Sequence, residues 1–278
     1  MSPSQRTARH EAIATRGTAW AVATCGDVAP APRVKAALRA LALLLALWGA
    51  CGSAAAVECG AVESAGKRYT VCRVDVAHER LQLFLGDESG QPFRHFDPLT
   101  LWLAARGQTL AFAMNAGMFH PGFAPVGLYV DAGKQGAPLN TDAGRGNFFL
   151  QPNGVFFISA AGAAVAETSE YARLGKPVSL ATQSGPLLLR RGVIHPAFIP
   201  ASESRLIRNG VGVATPSTAV FAISEDPVNF HEFALFFRDV LGCPDALYLD
   251  GNISSLYAPQ LQRNDLRADL GPIIGVVQ

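Results

Sequence analysis

The first of two helix-to-strand units with similar hydrophobic patterns lies in the first half of the chain. Apolar residues predict a helix over 98–106, which begins at Asp97-Pro98 and ends before Gly107. A continuous apolar run then predicts a buried strand over 109–114. This strand stops at Asn115-Ala116-Gly117, so the unit ends on a polar residue beside glycine.

The second unit repeats this arrangement closer to the C-terminus. An aromatic stripe at helical spacing predicts an amphipathic helix over 230–241 that packs into the core. A short buried strand over 246–249 follows and stops at Asp250-Gly251. With the strand predicted over 218–223, the segment favours a right-handed βαβ unit. If the strands before Asn115 and Asp250 lie in one sheet, we expect these two residues to converge at its edge.

Alternating and apolar runs elsewhere predict further strands and turns. Residues 68–76 and 81–85 are predicted to pair as a hairpin. The other predicted strands are 126–130, 148–150, 155–158, 163–165, 178–182, 187–190 and 211–214. Together these patterns predict an α+β protein, a single domain with a mixed β-sheet core, several hairpins, at least one βαβ unit and few helices.

Composition narrows the class of protein. The chain has 278 residues, 49% of them hydrophobic, which is enough for one large core. Its formal net charge is +1 and no concentrated Lys/Arg face is visible, so we expect no nucleic-acid partner.

The N-terminal pattern is typical of a secretory signal peptide. Basic residues at 33–39 precede an apolar run over 40–50, and Ala54-Ala55-Ala56 supplies a cleavage signal. Residues 1–56 are therefore predicted to be an N-terminal extension plus signal peptide cleaved near Ala56. We expect the mature domain, residues 57–278, to be periplasmic or extracellular with no stable membrane span.

Two questions about this segment stay open. A retained signal anchor is the alternative to cleavage. Cys51 suggests a lipoprotein cleavage site and hence a lipid anchor, although Trp48 fits such a site poorly. The residues before the basic region are out of place in a signal peptide. We hypothesise that translation begins near Val34, which leaves residues 1–33 untranslated.

Three cysteines lie in the predicted mature domain. Export implies an oxidising compartment, where Cys59 and Cys72 could clip the N-terminus to the first strand, and their pairing is left open. Cys243 is then left over as a small buried residue. No CxxC pair or His-rich cluster is present, so we predict no metal-binding residues and no cofactor, with a divalent metal not excluded.

Three polar residues are the candidate catalytic groups. Asp250 is placed to act as a base, a nucleophile or a stabiliser of an oxocarbenium ion, the alternative being an ordinary Asp-Gly turn. Arg208 offers paired N–H donors to a phosphate or carboxylate, unless it is a solvated surface residue. Asn115 suits sugar hydroxyls, or it satisfies loop backbone.

A wider set of residues is predicted to bind substrate. Its members lie in polar breaks next to apolar strands or near Asp250: Gln183, Ser184, Gly185, Asn209, Gly251, Asn252, Ser254, Ser255 and His120. The 183–185 segment is otherwise a hairpin turn, and His120 a surface or packing residue. Asn252 also begins a glycosylation sequon, but its position beside Asp250 favours a role in the site.

These motifs in this order resemble the phosphodiester glycosidase family. The resemblance runs from about Cys72 to the C-terminus and rests on five segments: Asn115-Ala116-Gly117-Met118-Phe119, Pro125-Val126-Gly127-Leu128, Gln183-Ser184-Gly185-Pro186, Arg208-Asn209-Gly210-Val211-Gly212 and Leu249-Asp250-Gly251. Asn252 and Ile253 replace two glycines of the family pattern. Asn209 stands where a small residue is common. The bulkier residues at 252 and 253 are expected to narrow or reshape the pocket.

The resemblance implies an exported hydrolase that cleaves a glycosyl-1-phosphodiester or a related envelope glycoconjugate. Its partner would be a carbohydrate or sugar phosphate, with Asp250 stabilising the developing cation or guiding water and Arg208 holding the phosphate. A second acid would be Glu225, Asp226 or Asp142. The alternatives are a non-catalytic protein that binds glycan or glycolipid, and a phosphodiesterase that cleaves P–O.

Overall fold

Three antiparallel sheets organise residues 57–278, the part of the chain that a computed structural model describes. The predicted signal peptide, its cleavage site and the proposed start near Val34 lie outside the described residues. Within residues 57–278, no helix combines the length and apolar character needed to cross a membrane.

The described elements are seventeen strands and three α-helices. The strands are β1 Glu58–Ser64, β2 Lys67–Asp75, β3 Arg80–Phe84, β4 Leu110–Asn115, β5 Tyr129–Asp131, β6 Lys134–Ala137, β7 Gly154–Ser159, β8 Gly162–Glu167, β9 Val178–Ser184, β10 Leu187–Arg190, β11 Val193–Ile194, β12 Asn209–Thr215, β13 Thr218–Ser224, β14 Asp245–Tyr248, β15 Leu256–Ala258, β16 Arg263–Asn264 and β17 Ile273–Val277. The helices are α1 Phe96–Ala104, α2 Thr168–Leu174 and α3 Phe230–Leu235, and α3 continues as a π-helical turn over Phe236–Val240.

The strands divide between one large and two smaller sheets. The seven-stranded sheet has the order β1-β2-β13-β12-β14-β10-β11, and the five-stranded sheets have the orders β16-β15-β4-β17-β3 and β6-β5-β9-β7-β8. A large apolar cluster contains residues from all three sheets, including Phe112, Phe156 and Phe221. The α+β class, with several hairpins and few helices in a single domain, is confirmed.

The predicted βαβ unit is present in a split form. β12 pairs antiparallel with both β13 and β14, so β13 and β14 run in the same direction with β12 between them. The connection between them contains α3. Asn229 and Glu232 form a reciprocal capping box that caps the N-terminus of α3. Apolar residues of α3, among them Phe233, pack against the sheet cluster, as the aromatic stripe predicted.

The predicted β2–β3 hairpin is wrong. β2 pairs with β1 and β13, whereas β3 pairs with the C-terminal strand β17 in another sheet. The side chain of Asp75 accepts a hydrogen bond from the Ala77 backbone at 3.0 Å in the connecting turn. Alternation along the sequence identified both strands, but a strand's partner depends on distant residues that alternation does not specify.

Other local predictions differ from the structure in the same way. Residues 147–149 form a 3₁₀ turn in place of the strand predicted over 148–150. Helix α2 and the strands β1, β6, β11, β15, β16 and β17 were not predicted. β9 and β10 belong to different sheets, so residues 183–186 do not form the hairpin turn that the sequence favoured.

The bonding states of the three cysteines in residues 57–278 match what their positions in the sequence suggested. Cys59 and Cys72 lie directly opposite each other on β1 and β2 and form a disulfide. Cys243 is a free, buried thiol. Burial raises its pKa to about 12, which makes it a packing residue without thiolate character at neutral pH.

Candidate functional site

The ends of β4 and β14 meet at the candidate site, although the two strands belong to different sheets. The amide Nδ2 of Asn115, the last residue of β4, donates to the Asp250 carbonyl at 2.8 Å. The predicted convergence of Asn115 and Asp250 is therefore confirmed. Its cause is the contact between two sheets and not a shared parallel sheet edge.

A buried amide pair fixes this junction. Nδ2 of Asn209 donates to both Oδ1 and the backbone carbonyl of Asn115, at 2.9 and 3.1 Å. Oδ1 of Asn115 also accepts from the Ser255 backbone N–H at 2.9 Å, and the Ser254 hydroxyl donates to Oδ1 of Asn209 at 3.2 Å. All four residues are buried. Their hydrogen bonds hold the 250–255 segment in place without using the Asp250 carboxylate.

The Asp250 carboxylate is half-buried and lacks an ion-pair partner within residues 57–278. Burial raises the pKa of Asp250 above its usual range, and a hydrogen bond from the Asn252 backbone opposes that rise. A carboxylate with a raised pKa in a partly dry site suits proton transfer or the stabilisation of positive charge.

Tyr248 is a site residue that the sequence analysis missed. It is 1% exposed, two positions before Asp250 on the same strand end, where alternation places both side chains on one side. A Cβ added to Gly251 would lie 1.9 Å from the Tyr248 hydroxyl oxygen, so position 251 accepts no side chain. Glycine follows Asp250 in this motif because the Tyr248 side chain occupies the space that a side chain at 251 would need. A tyrosine two residues before the aspartate was the signal available in the sequence.

Arg208 is not a surface residue. It is 1% exposed, and its guanidinium lies 3.7 Å from the centre of the Phe230 ring. Nε donates to the Val228 carbonyl at 2.9 Å and Nη2 to the Ser204 carbonyl at 3.0 Å. Its Nη1 is buried and lacks a hydrogen-bond partner within residues 57–278. Burial lowers the pKa of Arg208, and Tyr248 opposes that effect.

Arg208 and Asp250 are neighbours through the backbone but not through their side chains. The β12–β14 register pairs Gly210 with Tyr248, and the Leu249 N–H donates to the Asn209 carbonyl at 3.1 Å, which places 208 opposite 250. They form no ion pair. The pKa of Tyr248 responds to both charges, since Arg208 lowers it and Asp250 raises it in addition to the larger effect of burial. In this site, the Tyr248 phenol thus lies between the Arg208 guanidinium and the Asp250 carboxylate.

The 183–185 segment contributes one structural amide and one free hydroxyl. Oε1 of Gln183 accepts from the backbone N–H groups of Leu128 and Asn140, and Nε2 donates to the Asn140 carbonyl at 2.7 Å, so this side chain secures the loop around residue 140. Ser184 is fully buried, and its hydroxyl has no hydrogen-bond partner in the described part of the chain. A Cβ at Gly185 would lie 2.6 Å from the Phe148 carbonyl, so glycine is required there.

The position of Ser184 relative to the junction follows from its neighbours. Thr182, two residues earlier on the same face of β9, accepts a hydrogen bond at Oγ1 from the Gly117 backbone at 3.2 Å. Two residues later, the Pro186 carbonyl accepts from the Tyr248 N–H at 3.2 Å. The Ser184 hydroxyl therefore lies on the side of β9 that faces the Asn115 and Tyr248 strand ends.

His120 and Asn252 are more peripheral than the other predicted residues. Both are exposed, and neither side chain makes a hydrogen bond to another residue of the 57–278 region. The structure does not bring His120 into the hydrogen-bonded junction.

The candidate second acids have other partners or lie in solvent. Glu225 forms an ion pair with Arg263, and Asp226 forms one with Arg68. Asp142 is exposed on a loop. In the described part of the chain, no group of three or more His, Cys, Asp or Glu side chains is arranged to hold a metal ion.

Comparison with known proteins identifies the family. The family model described as phosphodiester glycosidase matches residues 108–276, which is more than half of the chain. The chain therefore belongs to the phosphodiester glycosidase family, as the sequence motifs indicated. The match contains both strand ends and every candidate site residue.

Three relatives illustrate the relationship. The uncharacterized protein YigE of Escherichia coli strain K12 is 36% identical over 179 residues, which cover 64% of this chain and 70% of that protein. The catalytic domain of zebrafish N-acetylglucosamine-1-phosphodiester alpha-N-acetylglucosaminidase, auto-inhibited by its pro-peptide, has a TM-score of 0.52 and 15% identity, covering 79% of this chain and 81% of that domain. A hypothetical protein from Synechocystis has a TM-score of 0.47 and 14% identity over 80% of this chain and 61% of its own. The likeness to the zebrafish domain shows a shared fold.

Proposed function

We propose that this protein is an exported hydrolase that cleaves a glycosyl-1-phosphodiester or a related envelope glycoconjugate. The observation that carries the proposal is the buried Arg208 guanidinium, which has an unpartnered Nη1 and no carboxylate neighbour among residues 57–278. A buried cation without a counterion is costly to keep unless an anion completes it. A phosphodiester, the group named by the family, supplies such an anion with oxygens that match the guanidinium.

Asp250 and Arg208 divide the reaction between them. Water attacks the anomeric carbon, the bond from that carbon to the phosphate oxygen breaks, and the products are a free sugar and a phosphate monoester. The Asp250 carboxylate stabilises the cation that develops on the sugar or accepts the proton of the attacking water. Arg208 stabilises the phosphate that leaves, and because this leaving group is already a weak base, a strong general acid is not required.

Two further groups support the leaving phosphate. The Tyr248 hydroxyl lies beside the guanidinium, and the Ser184 hydroxyl is buried at the end of β9, in another sheet, with no partner in the described region. Both are donors available to phosphate oxygens. Asn115, Asn209, Ser254 and Ser255 position the Asp250 segment, while the exposed Asn252 lies where it would meet the sugar or the group beyond it.

Export is part of the same proposal. The Cys59–Cys72 disulfide is typical of proteins that mature in an oxidising compartment, and the N-terminal pattern is typical of a signal peptide. Mass analysis of the protein from a periplasmic or secreted fraction tests this. A mature chain beginning at Val57 is expected, and a chain that keeps residues 40–50 would show an anchored form instead.

The test of the activity is hydrolysis of sugar-1-phosphodiesters by residues 57–278, with Asp250→Asn as the comparison. We expect the wild type to release sugar and the variant to lose most of its turnover, and equal turnover would overturn the proposed role. Reaction in ¹⁸O-labelled water distinguishes C–O cleavage, which labels the sugar, from P–O cleavage by a phosphodiesterase. A protein that only binds glycan would gain thermal stability with glycan and release no sugar.

A further inference from the structure

Arg263 joins the two sheets whose strand ends form the candidate site. It lies on β16, in the same five-stranded sheet as Asn115. Its Nη1 forms an ion pair with Glu225 and donates to the Thr70 hydroxyl at 3.1 Å. Thr70 lies on β2 and Glu225 directly follows β13, and both strands belong to the seven-stranded sheet. The guanidinium therefore connects one sheet to the other.

The remaining nitrogens of the same guanidinium contact Asp265. Nη2 donates to Oδ2 of Asp265 at 2.8 Å, and Nε donates to the same oxygen at 3.1 Å. This oxygen also accepts from the Leu256 N–H at 3.0 Å, and the Asp265 N–H donates to the Leu256 carbonyl at 3.1 Å. Through Asp265, Arg263 thus holds the first residue of β15.

Leu256 comes directly after the 250–255 segment, which carries Asp250 and crosses between the two sheets. Pairing of β14 with β12 fixes the first end of this segment. At its second end the Ser255 N–H donates to Oδ1 of Asn115 at 2.9 Å, one residue before Leu256. A functional group keeps its geometry when the residues around it are themselves held in place. The support at the second end therefore restricts the position of Asp250.

The partner of Arg263 in the seven-stranded sheet lies next to Arg208 in the same way. Glu225 directly follows Ser224, whose hydroxyl accepts from the Arg208 N–H at 2.9 Å. The Ser224 N–H in turn donates to the Arg208 carbonyl at 2.8 Å. One guanidinium thus holds the backbone neighbours of Arg208 and of the Asp250 segment. The spacing of these two groups matters because a phosphodiester substrate must reach both.

Burial and placement separate this cluster from a neighbouring surface ion pair. Arg68 and Asp226 also form an ion pair, but the Arg68 side chain is 68% exposed, whereas that of Arg263 is 16% exposed. Arg68 lies on β2 and Asp226 follows β13, so this pair stays within one sheet. Removal of Arg263 would leave two partly buried carboxylates without their shared cation, which is costly, while an exposed pair contributes little. Arg68 therefore provides a matched control.

We propose that Arg263 is a positioning residue of the Asp250 centre and holds the Asp250 segment at the spacing from Arg208 that the substrate requires. The inference rests on the proposed function, because it gives Arg263 a part in that reaction. Arg263 acts through Asp265 and Glu225, which anchor the neighbours of the two groups, and transfers no proton itself.

Arg263→Lys tests the role, since lysine keeps the positive charge but lacks the planar fork that reaches both carboxylates. Hydrogen exchange of the native protein should become about tenfold faster at the Ser255 N–H, with Phe221 at the centre of β13 unchanged. In the sugar-release assay kcat should fall about 10- to 100-fold while KM changes little, because substrate still binds but Asp250 is displaced. Arg68→Met should change neither measurement.

Unchanged exchange at Ser255 would overturn the proposal, and equal acceleration at Ser255 and Phe221 would do so by showing only a global loss of stability. Faster exchange at Ser255 with wild-type kcat would also overturn it. A wild type that releases no sugar would overturn the proposed function instead, and exchange at Ser255 would still decide whether Arg263 fixes the junction. If the lysine variant fails to fold, Asp265→Asn provides the same test, since it keeps an oxygen for the Leu256 N–H.

Discussion

Tyr248 and Gly251 contact each other so closely that a Cβ on residue 251 would lie 1.9 Å from the tyrosine hydroxyl oxygen. Through this contact, Tyr248, which lies beside Arg208, also packs against the turn that carries Asp250. Gly251→Ala should therefore displace Tyr248 and destabilise the protein by about 1–3 kcal/mol, as overpacking of a buried contact does. Thermal unfolding and sugar release are the two measurements.

A matched double variant isolates the cause. Tyr248→Phe removes the hydroxyl that occupies the Cβ position, so Gly251→Ala should cost less in a Tyr248→Phe background than alone. If both backgrounds lose the same stability, the clash does not involve the hydroxyl. The Tyr248→Phe single variant also tests whether the hydroxyl takes part in the reaction, because it leaves the ring in the core.

The pH dependence of the free energy of unfolding should reveal the burial of the Asp250 carboxylate. The folded protein raises the pKa of this acid above its ordinary value of 3.8, so the folded state binds the proton more tightly than the unfolded state. As pH rises from 3.8 through the raised pKa, the ionised carboxylate lowers the stability of the folded wild type. Asp250→Asn removes this effect.

The variant should therefore be more stable than the wild type above the raised pKa, and the gain should shrink as pH falls towards 3.8. Unfolding curves of both proteins across this range measure the difference. A gain that does not change with pH would show that it does not arise from the ionisation of Asp250. Loss of activity together with a gain in stability is the expected signature of a functional carboxylate.

The sequence identified the site better than the fold that holds it. Asn115 and Asp250 were predicted from local pattern, since a buried strand that stops at a polar residue beside glycine is visible in the chain itself. Their meeting, however, depends on pairings such as Asn115 with Ile273, across more than half of the chain. Alternation reveals which residues face a core but contains no information about which distant strand lies alongside.

Arg208 and Gln183 show a second limit. Arg208 was predicted to hold the phosphate on the basis of its chemistry, and Gln183 was predicted to bind substrate because it lies in a polar break between apolar strands. Only the structure shows that Gln183 uses its carboxamide within the protein, whereas Arg208 keeps a buried nitrogen without a partner among the described residues. Whether a polar group is satisfied depends on backbone carbonyls and N–H groups, and side-chain identity along the sequence says little about them.

Substitution of Arg208 should separate anion binding from folding. Arg208→Lys keeps the positive charge but loses the planar contact with Phe230 and at least one of the bonds to the Val228 and Ser204 carbonyls. We expect a large drop in kcat/KM for phosphodiesters and weaker inhibition by inorganic phosphate.

Arg208→Met serves as the comparison, since it removes the hydrogen bond to the buried Val228 carbonyl, at a cost of about 1–3 kcal/mol, while water can reach the exposed Ser204. If the lysine variant retains wild-type phosphate inhibition, Arg208 does not hold the phosphate. Melting temperatures of both variants establish that the loss of activity exceeds any loss of folded protein.

The Cys59–Cys72 disulfide should stabilise the domain without touching the site. It closes a loop with a sequence separation of 13 residues, for which loop-closure entropy gives about 3 kcal/mol. Cys59→Ala/Cys72→Ala should lower the free energy of unfolding by that amount and leave kcat unchanged at temperatures where the protein stays folded. Because Cys243 is buried with a raised pKa, native protein consisting of residues 57–278 should expose no reactive thiol until the disulfide is reduced or the chain unfolds. Thiol titration before and after reduction checks this, and rapid labelling of the native, oxidised protein would show that the Cys59–Cys72 bond is not formed.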